Sequence, residues 1–179
     1  MAAADGRPRV RRGGRKGVRG VPPGLTHLGP DGAARMVDVA AKAPTLRVAV
    51  AEARVSMAPA TVRLIRSGAS RKGDVLATAR IAGIQAAKRT AELVPLCHPV
   101  ALTDVAVDPR TTRGGVRITA TARALDRTGV EMEAMVAASV AALTVYDMIK
   151  GHDRGAAIEE VRLLEKTGGR SGPWRRSSG

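Results

Sequence analysis

The stretch TGVEMEAMVAASVAALTVYDMIK, residues 128–150, is the longest segment of the chain with an unambiguous secondary structure. It predicts a helix over about residues 129–150, roughly 33 Å long at 1.5 Å per residue. Thr128 and Glu131 have the spacing of a capping box, in which each side chain binds a backbone N–H that the first turn leaves free. Gly151 suits the position just after the last turn, where a left-handed backbone often ends a helix. The sequence therefore predicts both ends of this helix.

Apolar side chains cover nearly the whole circumference of this predicted helix, which is typical of a buried helix. Its length and composition would also allow a membrane span. The charges of Glu131, Glu133, Asp147 and Lys150 argue against that alternative, because each would be costly in hydrocarbon. We expect a core helix of a soluble protein, covered by a sheet on one face and by another subunit elsewhere.

One stripe of the helix, roughly 60° wide, combines apolar and ionisable side chains. Asp147 and Lys150 are three residues apart and hence neighbours on the helix surface. They can form an ordinary ion pair at a helix end or belong to a site, and the spacing alone leaves both interpretations open. We expect Glu131 to be structural, as the second half of the cap. The stripe consists of Met132, Val136, Leu143, Asp147 and Lys150, with Glu133 at its edge.

Composition limits the class of protein. The chain has 179 residues, enough for one ordinary domain with a real core. Its single cysteine, Cys97, excludes an internal disulfide and fits a reducing cytosol. No C-x-x-C or H-E-x-x-H motif occurs, so we expect no metal site. With one Trp, one Tyr and no Phe, the core has to be built from aliphatic side chains and methionine.

The net charge of +14 lies mainly in the two ends of the chain. Residues 1–24 carry seven Arg or Lys against Asp5, and four more Arg or Lys without an acid follow from residue 166, which leaves +4 for residues 25–165. A body so mildly basic suits an anionic small molecule as well as a polymer. We expect residues 1–24 to be a disordered Arg/Gly/Pro-rich arm, and not a secretory signal, because they lack an apolar region. A transit peptide is the weaker alternative.

Periodicity and turn residues predict the remaining elements. The element order of strand, helices, two strands, helix and strand indicates an α+β protein with the ferredoxin-like, split βαβ arrangement, an antiparallel sheet with helices packed on one face. The predicted elements are a short extended segment at 36–39, a strand at 46–57, a helix at 60–66 opened by Pro59 and stopped by Gly68, a helix from the N-cap Asp74 to about Leu93, an extended segment at 94–99, strands at 101–108 and 116–125 joined by a loop at 109–115, and a last strand at 161–164.

Two turns outside the long helix have ionisable groups in a defined setting. Lys72 precedes the N-terminus of a predicted helix, where backbone N–H groups favour anions. Asp74 already caps that helix, however, and Lys72 can equally be solvated. His98 stands between prolines and can act as an acid, a base or a donor, or can be merely structural. The residues alone thus indicate an α+β protein that binds something anionic.

The run KGDVLATARIAGIQAAKRTAELVPLCHP at 72–99 closely resembles the molybdenum cofactor biosynthesis protein C family, the cyclic pyranopterin monophosphate synthases. The stretches LTHLGPDGAARMVDVAAK (25–42), GVEMEAMVAASVAALTVYDMIK (129–150) and VRLLEKTGGRSG (161–172) are similar to the same family in the same order. The resemblance leaves out the two ends. It implies a synthase domain at 25–165, between the arm and a flexible basic tail at 166–179.

The resemblance also implies an activity and the residues that carry it. Family members convert a cyclised dihydro derivative of GTP, which carries a 5′-triphosphate, into cyclic pyranopterin monophosphate and pyrophosphate, without a redox cofactor. Mg²⁺ can accompany the triphosphate. The implied catalytic residues are Asp147, as acid/base group, with Lys150 and Lys72. The implied substrate-binding residues are Leu96, Cys97, His98, Met132, Glu133 and Lys166, and the flexible GGRSG segment would add charge near the phosphates.

Helix geometry limits which of these residues can contact the same ligand. Glu133 and Asp147 lie 14 residues apart on one helix, about 21 Å along its axis. One nucleotide-sized ligand can hardly touch both from the same chain, so we expect them to come from different subunits or to serve separate sites. The resemblance implies a cytoplasmic homohexamer, a trimer of dimers with the sites at the dimer interface.

A nucleic-acid-binding module that uses the RPRVRRGGRKGVRG arm is the rival interpretation. Against it stand the missing aromatic side chains for base stacking and the absence of an amphipathic recognition helix. We therefore expect a small-molecule substrate and no nucleic-acid or membrane partner.

Overall fold

The computed structural model of the protein describes residues 32–177. These residues form a sheet with helices between its strands, and the predicted arm at 1–24 lies outside them. In chain order the elements are β1 (Thr45–Ser56), α1 (Pro59–Arg66), α2 (Val75–Ala87), α3 (Thr90–Leu93), β2 (Leu102–Thr111), β3 (Gly115–Asp126), α4 (Glu131–Ile149), β4 (Ala157–Thr167) and β5 (Trp174–Arg175).

The five strands form one antiparallel sheet in the order β2-β3-β1-β4-β5. Since β1 and β2 are both antiparallel to β3, they run parallel to each other with β3 between them. The strands β3 and β4 are likewise separated by β1. Each helical crossover thus leads to a strand two positions away, with another strand inserted between the two. The predicted α+β class, with an antiparallel sheet and helices on one face, is confirmed.

The core between the sheet and the helices is built mainly from alanine and valine. Alternate residues of β1, Ala49, Ala51 and Ala53, are fully buried, as are Ala137 and Ala141 of α4. Side chains this small bring the backbones of helices and sheet close together. At Gly83 of α2, an added Cβ would lie 2.8 Å from the carbonyl oxygen of Ala137. The α2–α4 crossing therefore depends on the absence of a side chain at that glycine.

The predicted capping box at the start of α4 is wrong. Val130 occupies the N-cap position, and no side chain caps the helix there. Glu131 instead forms an ion pair with Lys166 of β4, with Oε1 3.0 Å from Nζ. The local pattern predicted that the Glu131 carboxylate binds the backbone at the start of α4. In the structure this carboxylate pairs with a lysine of β4 instead.

The end of α4 also differs from the prediction. Lys150 is the C-cap, and Gly151 is not among the described glycines with a left-handed backbone. The backbone N–H groups of His152 and Asp153 donate to the carbonyl oxygen of Ile149, at 2.8 and 3.0 Å. The last turn is thus closed without the conformational freedom of glycine.

The structure differs from the prediction in five further places. Residues 36–39 form no strand, and α2 ends at Ala87, with α3 a separate helix. The strand β2 continues through Pro109 to Thr111, so that only residues 112–114 connect it to β3. Pro109 is tolerated because β2 is an edge strand. The strand β4 is longer than predicted, and β5 gives regular structure to part of the predicted tail at 166–179.

By length and composition α4 is apolar enough to cross a membrane, and half of its most apolar window is buried. Its buried side chains pack on β1, β3 and α2 in one core cluster. We therefore interpret α4 as the core helix of the fold.

Candidate functional site

Lys72, Asp147 and Lys150 meet at the C-terminal end of α4. The Asp147 carboxylate lies between two ammonium groups: Oδ1 is 2.7 Å from Lys150 Nζ, and Oδ2 is 2.9 Å from Lys72 Nζ. Lys72 also donates to the backbone carbonyl oxygen of Asp147 at 2.8 Å. The cluster thus unites a helical i,i+3 pair with a lysine from the turn before α2.

Local sequence explains how each side chain reaches this cluster. Asp74 caps α2 by accepting a hydrogen bond from the Ala77 N–H at 2.9 Å, which determines where the helix begins. Gly73 has a φ of +88° and turns the chain between this cap and Lys72. The Lys72 side chain then extends across to the end of α4.

The two lysines hold the pKa of Asp147 at about 2, mainly through the hydrogen bond from Lys150 and then through that from Lys72. Asp147 in turn raises the pKa of Lys150. At neutral pH the cluster therefore consists of one carboxylate and two ammonium groups, with a net positive charge. A carboxylate with so low a pKa is a poor proton acceptor. With these partners, Asp147 is better suited to orienting the lysines than to general acid/base chemistry.

About half of each of these three side chains is exposed. An ion pair so open to water contributes little to stability. Lys72 joins the helix-end pair from a turn 75 residues away, so that three exposed charged groups from two parts of the chain meet. The arrangement can bind an anion.

A second group lies at the other end of α4, around Glu133. This glutamate is only 3% exposed. Burial raises its pKa, and the negative charges of Glu131 and Asp126 add to the effect. Cys97 lies within range of Glu133, and its pKa is raised by burial and by the Glu133 charge. The Cys97 thiol is therefore protonated at neutral pH and poorly suited to nucleophilic chemistry.

Glu133 lines a cavity of about 180 Å³ beside the end of α2. Thr90 and the two cations Lys88 and Arg89 also line this cavity. Sequence reasoning missed Lys88 and Arg89 as site candidates. No local signal marked them, because the predicted helix runs to about Leu93 and only the fold brings them into the cavity that Glu133 lines.

Three further predicted substrate-binding residues, Leu96, His98 and Met132, are next to Cys97 or Glu133 in the sequence. Met132 is 40% exposed and Leu96 36% exposed, while His98 is half-buried. The segment at 94–99 includes a turn, closed by the Cys97 N–H donating to the Val94 carbonyl oxygen at 3.0 Å. The side chains of Met132 and Leu96 thus remain exposed in the single chain.

Lys166 lies in β4 and belongs with the second group. Its Nζ is 3.0 Å from Glu131 Oε1 and 3.3 Å from Ser171 Oγ. The resemblance implies that Lys166 binds the substrate and that Lys72 is a catalytic partner of Asp147, and one chain places these two lysines at opposite ends of α4. The nine predicted site residues therefore form two groups, separated along the helix by about 21 Å.

Within residues 32–177, no group of three or more His, Cys, Asp or Glu side chains is arranged to hold a metal ion. A role for Mg²⁺ carried by a triphosphate stays a prediction.

Comparison with known proteins identifies relatives of the chain. The family model described as "MoaC family" matches residues 36–169. A protein of Thermomicrobium roseum named cyclic pyranopterin monophosphate synthase is 61% identical over 154 residues, which are 85% of this chain and 93% of that protein. Proteins of the same name from Methylobacterium nodulans and Streptomyces coelicolor are 61% and 58% identical. These matches cover 84% and 86% of this chain and 95% and 90% of the respective proteins.

Proposed function

The chain belongs to the MoaC family, and from this premise we propose that it is an enzyme with cyclic pyranopterin monophosphate synthase activity in molybdenum cofactor biosynthesis. Its substrate is the cyclised dihydro-GTP intermediate, and pyrophosphate leaves as the cyclic phosphate closes. The single observation that carries the proposal is the match to synthases at about 60% identity over nearly the whole of their length. The lysine cluster at Asp147 supports it independently.

The Lys72–Asp147–Lys150 cluster fits the phosphate end of this reaction. Two ammonium groups can neutralise a departing pyrophosphate, which is the largest charge change in the reaction. When phosphate oxygens draw the lysines away from Asp147, the carboxylate loses the hydrogen bonds that lower its pKa. Substrate binding itself can thus move Asp147 toward a pKa at which it exchanges protons.

The site is composite, with the Glu133 group of one subunit facing the Asp147 cluster of another. This assignment is supported by their separation along α4, which a single nucleotide-sized ligand cannot span. It entails a homo-oligomer, for which we propose a hexamer built as a trimer of dimers. No redox cofactor takes part, and the enzyme works in the cytoplasm.

The direct test is incubation of the purified chain with the cyclised dihydro-GTP intermediate, followed by assay of pyrophosphate and pterin product. We expect both products in equal amounts, and Lys72→Ala should weaken turnover while the fold and the oligomer stay intact. Arg117→Ala, at an exposed position of β3, is the control for loss of one positive charge. Absence of both products with folded wild-type protein would refute the proposed activity.

Subunit mixing tests the composite site. Asp147→Asn and Glu133→Ala should each be inactive alone, whereas exchange of subunits between them should restore part of the activity. Restoration is expected because some interfaces pair an intact Glu133 with an intact Asp147. If mass spectrometry confirms exchange and no activity returns, the site lies within one chain.

A further inference from the structure

The short strand β5 lies outside the residues that the family model matches, yet it pairs with the part of β4 that carries Lys166. In the register, Trp174 is opposite Lys166 and Arg175 is opposite Glu165. Residues 167–173, which include the glycine-rich segment, are therefore held at both ends by the sheet.

Three consecutive residues, Trp174, Arg175 and Arg176, fasten this end of the chain to β4. Arg175 donates from Nη2 and Nε to Oε2 of Glu165, at 2.8 and 3.0 Å. The Arg176 backbone N–H donates to the Leu164 carbonyl oxygen, and the Arg176 Nε donates to the Leu163 carbonyl oxygen, both at 2.8 Å. The Arg176 guanidinium also lies 5.7 Å from the centre of the Trp174 ring, within the range of a cation–π contact.

The glycine-rich segment itself packs closely against the start of β1. Gly168 and Gly169 have φ values of +93° and +78°, which glycine adopts without strain. A Cβ at Gly168 would collide with the Leu46 carbonyl oxygen, and one at Gly169 with the Arg47 guanidinium. A turn bond from the Gly172 N–H to the Gly169 carbonyl oxygen, at 3.2 Å, completes the segment. The resemblance implies a flexible segment, whereas here it is docked.

Lys166 is held between α4 and this docked segment. Its ammonium group contacts Glu131 on the helix side and Ser171 on the segment side. Ser171 stays within reach only while the segment keeps its course between β4 and β5. The position of the Lys166 ammonium group is thus coupled to the pairing of β5.

We propose that residues 174–176 are a clamp that positions Lys166 and the glycine-rich segment for the substrate. Trp174, Arg175 and Arg176 act through Lys166 and need not touch the substrate themselves. Order established before binding lowers the entropy that the complex has to lose, so the clamp serves affinity more than the chemical step. As far as it concerns the substrate, this inference rests on the proposed function.

Amide hydrogen exchange and limited trypsin cleavage after Arg170 test the clamp without any substrate. In Arg175→Ala, which breaks one exposed ion pair, we expect residues 167–173 to exchange about two- to fivefold faster. A chain that ends at Pro173 should show a larger increase, with faster cleavage after Arg170. The control Arg117→Ala removes an arginine from β3 and should leave this exchange unchanged. If amide exchange of residues 167–173 is unaltered in the shortened chain, the clamp is overturned, whether or not the protein turns over the substrate.

A variant with the two charges swapped and a kinetic measurement complete the test. The double variant Glu165→Arg with Arg175→Glu should restore slow exchange to within about twofold of the wild type, because the ion pair forms again with reversed polarity. With the cyclised dihydro-GTP intermediate, Arg175→Ala should raise KM while kcat changes less than about twofold. Faster exchange together with an unchanged KM would overturn the positioning role. Failure of the wild type to turn over this substrate would refute the proposed function alone, since the exchange result stands without it.

Discussion

At the scale of single residues, the two carboxylates of α4 have opposite surroundings. Asp147 is half-exposed between two lysines, which lower its pKa to about 2. Glu133 is buried, and burial together with the charges of Glu131 and Asp126 raises its pKa. The fold thus shifts the pKa values of two carboxylates of one helix in opposite directions. This difference makes both residues testable by pH.

Asp147→Asn keeps the shape of the side chain and removes its charge, so we expect turnover to fall at least roughly 10²-fold. The pKa of Asp147 in the folded protein is about 2, below the ordinary value of 3.8. The ionised carboxylate therefore stabilises the fold fully above about pH 3.8, and this stabilisation is lost as the pH falls through about 2. The difference in Tm between wild type and variant should therefore be small, because the ion pairs are open to water, constant from about pH 7 to 5, and lost as the pH falls through about 2. Asp104→Asn, at an exposed carboxylate 3.7 Å from Arg123, is the control. A difference that stays undiminished below about pH 2 would show that charge is not its cause.

Glu133→Gln removes a buried charge and should separate stability from activity. Because the folded pKa is raised above 4.5, the ionised form is disfavoured in the folded protein, and this penalty appears as the pH rises. We expect the variant to be more stable than wild type at about pH 8, on the order of 1 kcal/mol, and equal to it near pH 4. Turnover should fall. Urea unfolding at the two pH values measures the effect, and a variant less stable at both would contradict the assigned burial of charge.

At the scale of elements, the crossing of α2 and α4 sets the geometry of the lysine cluster. Lys72 precedes α2 and Asp147 lies near the end of α4, so any shift between the helices changes the distance between the two side chains. The helices approach closely because Gly83 faces Ala137 and Ala141 of α4. An element-level change can thus alter the site without touching it.

Gly83→Ala should lower the free energy of unfolding by about 1–3 kcal/mol through overpacking. This loss is expected although alanine is intrinsically better in a helix by about 1 kcal/mol. The added Cβ would meet backbone, the Ala137 carbonyl oxygen at 2.8 Å, which cannot move aside as a flexible side chain would. Denaturant unfolding should show a lower free energy of unfolding, and the turnover rate should also fall. Gly114→Ala is the control because its Cβ would meet nothing within 4 Å. A Gly83→Ala variant as stable as the wild type would contradict the constraint at the α2–α4 crossing.

At the scale of the whole molecule, α4 leaves one apolar stripe uncovered. Met132 and Leu143 are 40% and 58% exposed, and Val136 and Val140 are half-buried. This stripe ends at Asp147, on the side of the helix away from the core. A second subunit seated on it would both cover the stripe and bring further groups to the lysine cluster.

Val140→Glu tests this assembly. Because Val140 is only half-buried in one chain, the subunit should keep its fold, while a carboxylate at an apolar interface would lack a partner. We expect sedimentation velocity to show a smaller species and circular dichroism to stay unchanged. Thr112→Glu, in the turn between β2 and β3, is the control for the added charge. A wild type that sediments as a monomer at micromolar concentration would contradict the assembly itself.

The sequence by itself determined what depends on neighbours along the chain. The helix α4, the strand β3, the Asp74 cap and the Asp147–Lys150 pair depend on local sequence, and the structure confirms each of them. The convergence of Lys72 with that pair spans 75 residues. It followed from the resemblance to a family and not from spacing.

Only the tertiary structure decided what depends on residues remote in sequence. Glu131 forms an ion pair with Lys166 and not the predicted helix cap, and β5 pairs with β4 where a flexible tail was expected. The pKa values of Asp147 and Glu133 likewise depend on burial and on charges that the fold brings near. Local patterns predict elements because backbone geometry repeats over a few residues. Ion pairs, edge strands and electrostatic environments form between elements, and the sequence pattern of neither element contains them.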